Sequence, residues 1–581
     1  MATADFSVRG LELHSLYAWD YEWIIKCLDF MQGAGLNSLM LHRNDFIELI
    51  VYPGAYFGCD DSPCESIFDR YRQIFRTLYK YTPTRRSGPY QRRAFLKRVL
   101  QQAAKRGISV YVENKELYFP EIILEFYPHL VKEGKICASD PFWWDFIKVK
   151  YTEFFEEFPE IAGIITAPAT GESKVSITSN RCTCERCRAT TRAGWFDTLL
   201  RAMYGPIKAA GKQLIVRDFV FDPEAHREIA SAMEQLPADV VISLKNTPHD
   251  YYPTFPANSR IGNVGNHAQW IEFDAMGQYF GWGVGMADLC DDYRSRMRQA
   301  KEKGAEGVFF RTDWESLDGH TVFRSANLVN LYAGSALARD LGTENRVIHE
   351  RYMSENGWFA KGSTIAQRTE AVAWFSSISE KTWEVTRRTP FVDDNVFSDS
   401  SLMPVSYEHA FWLAEEKNSL KAWVPQKAES LRPNWTAVRN AIAEKDDALT
   451  LVKTLVRLGG QPPIGIDAQK ALEYHGLLEV NRHYVQLFRS VVTALFLVRY
   501  VVETEEDRTT EQYRQALLVE LPESLRKLRD SIPVLQAFQT ETDFHPHTIY
   551  TLLDPDRVSC LYRDLLRKLE KHGLSGELFH E

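Results

Sequence analysis

From residue 9 to residue 312 the chain alternates between short β-rich runs and stretches with helical spacing, and then the strand signal stops. That alternation constrains the fold more than any other feature. The runs at 9–16, 36–43, 108–116, 161–168, 212–219, 239–246, 269–276 and 304–312 have the length and the β-branched or aromatic content of buried strands. Helical patterns at 19–33, 92–106, 143–158, 196–210, 223–235 and 291–303 separate most of them, and Gly107 and Gly211 stand where helices end. Eight strands in about 310 residues predict a (β/α)8 TIM barrel, since a doubly wound open sheet more usually stops at five to seven.

Beyond 321–339 only helical periodicity remains, at 365–388, 406–423, 434–458, 467–504, 511–538 and 556–572. The expected organisation is a barrel domain at 1–342 followed by an all-helical domain at 343–581. The net charge of −9 over 581 residues argues against a nucleic-acid surface. The longest apolar stretch, near 491–498, is short and flanked by Arg489 and Arg499, so no membrane span is expected. The N-terminus lacks a basic region followed by an apolar core, and the nine cysteines form no regular paired framework. A reducing, cytoplasmic setting fits both features.

Barrel sites gather at the C-terminal ends of the strands. There the sequence places His42, Arg43 and Asp45 after the second strand, and Glu113, Lys115 and Glu116 at the third. Glu172 follows the fourth, Arg217 and Asp218 the fifth, and Lys245, His249 and Asp250 the sixth. Glu272 and Asp274 lie two apart on the seventh, hence on one face, and Arg311, Asp313 and Glu315 end the eighth. Converging acids suit general acid/base chemistry, and the cations beside them suit a carboxylate or phosphate ligand. The other reading is a polar rim whose charges neutralise one another. No phosphate-binding loop, dinucleotide fingerprint or nucleophile elbow is present.

Cys182, Cys184 and Cys187 form a compact thiol group in the loop after the fourth strand. A structural zinc site needs four ligands, so Cys290 or a histidine would complete one; a reduced, packed thiol cluster is the alternative. The aromatic segment 71–90 reads either as the wall of a sugar cleft or as a hydrophobic cluster holding a long loop. Tyr474, His475 and Trp423 read as core or interface residues.

The run Lys245-Asn246-Thr247-Pro248-His249-Asp250, followed by Ile271-Glu272-Phe273-Asp274-Ala275-Met276-Gly277-Gln278-Tyr279-Phe280-Gly281, resembles family 67 glycoside hydrolases, the α-glucuronidases. That family carries a K-N-G-P-x-D element and then M-E-[FL]-Q-x-T-Q-E-Y-x-G at similar spacing, on a barrel followed by a helical domain. The resemblance implies inverting release of an α-linked glucuronic acid from an oligosaccharide, with no cofactor. It places Asp250 on an acid assigned to water activation, Glu272 on the acidic position of the second element, and Glu172 near the general acid. It departs at Gln278, where the family has Glu, and at Thr170-Gly171-Glu172-Ser173, where the family has S-E-G. It also suggests a homodimer through the helical domain.

The expected site therefore comprises Glu172, Asp250 and Glu272 as catalytic groups. His42, Arg43, Lys115, Glu116, Arg217, Lys245, His249, Asp274, Arg311 and Asp313 are expected to bind substrate. The alternatives are a metal-dependent isomerase or lyase, a glycosidase for another sugar, and a non-catalytic sugar-binding barrel.

Overall fold

A computed structural model describes residues 4–43, 46–51, 83–121, 123–219, 223–277, 285–314, 320–504, 508–541 and 552–574. Eight parallel strands close into a barrel in sequence order. They are β1 (Val8–Leu13), β2 (Ser38–Leu41), β3 (Ser109–Glu113), β4 (Gly163–Thr166), β5 (Gln213–Arg217), β6 (Val241–Lys245), β7 (Gln269–Asp274) and β8 (Ala305–Arg311). All eight expected runs are present, each a few residues shorter. The residues lost from the ends, such as His42, Asn114 and Asp218, carry the loops rather than the ladder.

Helices α1 (Tyr21–Ala34), α2 (Pro83–Lys105), α3 (Phe142–Glu157), α4 (Arg192–Ala209), α5 (Pro223–Met233) and α6 (Cys290–Glu302) cover the outside. No helix separates β6 from β7; residues 246–268 form an irregular loop over the mouth.

Period-two alternation sorts the strand residues into an outer and an inner set. Met40, Tyr111, Ile165, Ile215, Val241, Trp270 and Phe309 make a closed apolar layer inside the barrel. β1 contributes Gly10 to that layer, and a Cβ there would lie 2.2 Å from Phe309 Cε1. Glycine at this position leaves the space that the Phe309 ring fills. The next layer toward the strand C-termini is polar: Glu12, His42, Glu113, Arg217, Ser243, Glu272 and Arg311, all buried. The apolar layer is thus a plug, and the polar layer is the floor of a site.

After the barrel come α7 (Leu328–Arg339), α8 (Asn345–Glu355), α9 (Ile365–Arg387), α10 (Trp435–Gly459), α11 (Ala468–Glu503), α12 (Leu521–Glu541) and α13 (Pro555–Lys571). Helix α8 was not expected from the sequence. Its buried face is Ile348, His349, Tyr352 and Met353, and the polar His349 breaks the apolar stripe. The expected helix at 406–423 is a short helix, Tyr407–Trp412, running into a π-helical turn, Leu413–Lys417. The expected helix at 511–538 is likewise split, by a π-helical turn at Ala516–Glu520.

One apolar cluster runs from Phe6 to Val485, joining the outer barrel to the first helices of the C-terminal region. A second cluster holds the later helices around the middle of α11. By length and composition α11 could cross a membrane, although the sequence reading expected no span; 78% of its most apolar window is buried inside the fold. That burial is what a core helix requires.

Candidate active site

β1 and β2 bring two histidines face to face. The His14 and His42 rings stack with centroids 3.6 Å apart. Glu12 Oε2 lies 3.0 Å from His14 Nε2 and 3.7 Å from His42 Nδ1. His42 Nε2 sits 2.7 Å from Glu113 Oε2 and 3.1 Å from Arg217 Nη1. Burial lowers the pKa of both imidazoles well below the usual value, and nearby cations push the same way. Burial, reinforced by the Glu272 charge, raises Glu12 well above the ordinary carboxylate range.

β5, β6 and β7 supply the next group. Arg217 donates to Glu272 through Nε at 2.8 Å and Nη2 at 2.5 Å. Ser243 Oγ and Tyr251 Oη add hydrogen bonds of 2.7 Å each to the same carboxylate. Burial alone would raise the Glu272 pKa, but the Arg217 charge and these donors outweigh it and hold it at about 2. Both oxygens of Glu272 are thus occupied, each by two donors. Glu272 is expected among the catalytic groups; a carboxylate with four donors on it is poorly placed to take a proton from water.

Lys245 pairs with Asp250, and Tyr251 N donates to Asp250 Oδ1 at 3.1 Å. The Lys245 ammonium rests 3.4 Å from the centre of the Phe219 ring and 4.4 Å from that of Tyr251. Burial lowers its pKa to about 8, against the opposing pull of Asp250. Arg311 also faces the Tyr251 ring and donates through Nε to Asp313 O at 3.3 Å. Asp274 is paired in register with Arg311 on the inner wall. At the rim, buried Lys115 reaches the exposed Glu172 and lies 3.9 Å from Glu113 Oε1.

Three expected substrate ligands are placed elsewhere. Glu116 has the outward parity of Asn114 and is bound by Lys150 and Tyr151 of α3 and by Asn114 Nδ2 at 2.8 Å. It fastens α3 to the barrel. Asp313 accepts from His14 N at 2.8 Å, Ser15 N at 3.3 Å and the Ser15 hydroxyl, so it holds the loop after β1. His249 packs against Tyr252, Phe255 and Trp423, where a loop of the barrel mouth meets the helical region. Its pKa is lowered to about 4, first by burial, as suits a neutral packing residue.

Arg43 is half-buried at the start of the loop after β2. Asp45, Gln278, Glu315 and the side chains of segment 71–90 lie outside the described residues. Glu12, His14, Ser243 and Tyr251 were missed. Gly10, Glu12 and His14 do alternate along the first strand, a signal that one face of it is polar and crowded.

Two groups of potential metal ligands matter here. Glu12, His14 and His42 offer ligand atoms within 4.8 Å of one another. The Sγ atoms of Cys182, Cys184 and Cys187 do so together with Cys137. The expected fourth partner, Cys290, instead lies with Asp288 and His349. It starts α6, the helix that follows β7.

No family model and no curated protein matches the sequence. Solved structures do resemble it. A GH138 enzyme targeting pectin rhamnogalacturonan II superimposes with a TM-score of 0.60 and 13% identity, covering 98% of this chain and 84% of that one. A Thermobaculum terrenum O-GlcNAc hydrolase mutant gives a TM-score of 0.43 and 12% identity, covering 98% of this chain and 97% of that one. The first of these likenesses shows a shared (β/α)8 barrel followed by a helical region.

Proposed function

We propose that this protein is a glycoside hydrolase acting on an acidic sugar, of the α-linked uronic acid type. The observation that carries the reading is the inner wall of the mouth. Lys115, Arg217, Lys245 and Arg311 are buried there among Glu12, Glu113, Asp250, Glu272 and Asp274. A buried cation cluster held by acids is suited to exchange part of its partners for a ligand carboxylate. The GH138 likeness and the resemblance to α-glucuronidases support a carbohydrate substrate.

In this reading Glu172 is the general acid. In the free protein Lys115 is paired with it; a sugar carboxylate that draws the ammonium toward itself leaves Glu172 free to carry a proton to the leaving oxygen. Asp250, held by Lys245, activates water on the opposite face. Arg217 and Glu272 act as one rigid unit for sugar hydroxyls, and no cofactor takes part. Inversion requires the two carboxyl groups to stand about 6.5–9.5 Å apart with water between them. The test is release of free uronic acid from a panel of uronosyl oligosaccharides, with the anomer read by NMR at early times. The β-anomer from an α-linkage supports the reading; no release from any uronoside by folded protein rejects it.

The Glu12, His14 and His42 group favours a second reading, metal-dependent isomerase or lyase chemistry at the same mouth. Activity abolished by a chelator and restored by a divalent ion would select it.

A further inference from the structure

We infer that Cys137, Cys182, Cys184 and Cys187 form a structural zinc site that anchors the loop carrying Glu172. Three of the separations match the edges of a thiolate tetrahedron. Cys137 Sγ lies 3.7 Å from both Cys184 Sγ and Cys187 Sγ, and Cys182 Sγ lies 3.7 Å from Cys187 Sγ. All four sulfurs fall within 4.8 Å of one another. Four thiolates bound to zinc at about 2.3 Å must have S···S edges of about 3.8 Å. A disulfide would bring two sulfurs to about 2.05 Å and leave no reason for the other two to gather round them.

The backbone presents the ligands from two distant segments. A short hairpin, Val131–Lys132 with Lys135–Ile136, delivers Cys137 at its end. The loop after β4 delivers the other three, the last two flanking the start of a short helix, Glu185–Ala189. Cys182 N donates to Ile136 O at 2.8 Å, so the two segments are already joined beside the thiols. Trp143 and Trp195 close the other side, their indole N–H groups donating to Cys137 O at 2.8 Å and Ala138 O at 2.9 Å. Cys137, Cys182 and Cys187 are buried and Cys184 is half-buried, so four protein ligands would leave no open, exchangeable position on the metal. A closed set of four thiolates is structural in kind.

The consequence lies ten residues upstream. Glu172 sits between the end of β4 and Cys182, in a loop without regular secondary structure. Ser173 Oγ donates to Glu116 O at 2.6 Å, and Lys174 donates to Phe119 O at 2.6 Å. The metal would fix the far end of that loop, making it a positioning element for Glu172 rather than a participant in the reaction.

The test is elemental analysis of the intact chain purified without a metal-affinity step. About one zinc per chain is expected, with Cys560→Ser unchanged and Cys137→Ser or Cys184→Ser falling to less than about a tenth. Protein grown with cobalt should show the absorption bands of tetrahedral thiolate–cobalt, a readout on the native sequence that stands even where a cysteine variant fails to fold. Four thiols free to alkylation with no bound metal, a disulfide within the group, or iron in stoichiometric amount would each overturn the assignment. None of these readouts depends on glycosidase activity.

Discussion

Arg217 and Glu272 face each other across the barrel floor as a two-point ion pair, Nε to Oε1 at 2.8 Å and Nη2 to Oε2 at 2.5 Å, with both side chains buried. Each partner offsets much of the cost of burying the other's charge. Removing one partner should therefore cost more than removing both. Arg217→Met is expected to destabilise the fold by about 3–5 kcal/mol, and the double variant Arg217→Met/Glu272→Leu to recover much of that. Urea unfolding of the two proteins checks it; equal losses would reject the coupling.

The same pair predicts acid behaviour. Glu272 is held at about 2 in the fold. A depressed carboxylate pKa contributes stability that is present above the unfolded value, near 4.5, and is lost as pH falls toward 2. Wild-type stability should drop more steeply across that window than the double variant's. Parallel unfolding curves at several pH values decide the matter.

Glu172→Gln should lower kcat on uronosides by about 10²–10⁴-fold, the usual worth of a positioned general acid. A substrate with a good aryl leaving group needs little protonation and should lose far less. Lys115→Met should act on KM for acidic sugars more than on kcat for an activated one. Equal losses of kcat on both leaving groups would remove Glu172 from the acid role.

Lys245 has its pKa lowered to about 8, chiefly by burial. As pH rises past that value it loses its charge, its hold on Asp250 and any hold on a sugar carboxylate. KM for an acidic substrate should rise above about pH 8 in the wild type, and Lys245→Met should flatten that limb. Stability should move the opposite way. Between about 8 and the ordinary lysine value of 10.5 the unfolded chain binds more protons, so stability rises with pH. Steady-state kinetics and unfolding measured over the same pH range separate the two effects.

Gly10→Ala should be far from neutral. The new Cβ would meet Phe309 Cε1 at 2.2 Å and Ser38 O at 2.6 Å, one of them backbone. A cost of about 1–3 kcal/mol or more is expected from overpacking the plug. Gly107→Ala meets nothing within 4 Å but stands at φ 67°, so it reports backbone strain alone. Thermal unfolding of both variants distinguishes a steric cost from a conformational one.

The barrel was legible because its signals are local. Each strand is a short run of β-branched and aromatic residues, and each helix repeats its own apolar stripe. Neither needs knowledge of a distant partner. The π-helical turns at Leu413–Lys417 and Ala516–Glu520 were not legible, because one extra residue rotates the buried face without interrupting the apolar periodicity on either side.

The site divides along the same line. Sequence alone determined which strands end in acids and cations, and that Glu272 and Asp274 share a face, because strand alternation is a property of the backbone. It could not say that Glu116 and Asp313 face other elements, that His249 packs under Trp423, or that Glu12 and His14 complete the floor. Those outcomes depend on barrel closure, which sets β1 beside β8 and so places Glu12 level with Arg311. The three clustered cysteines were plain in the sequence, but Cys137 is 45 residues from Cys182. Only tertiary structure joins them, because ligand geometry is set by distance in space, while a motif records distance along the chain.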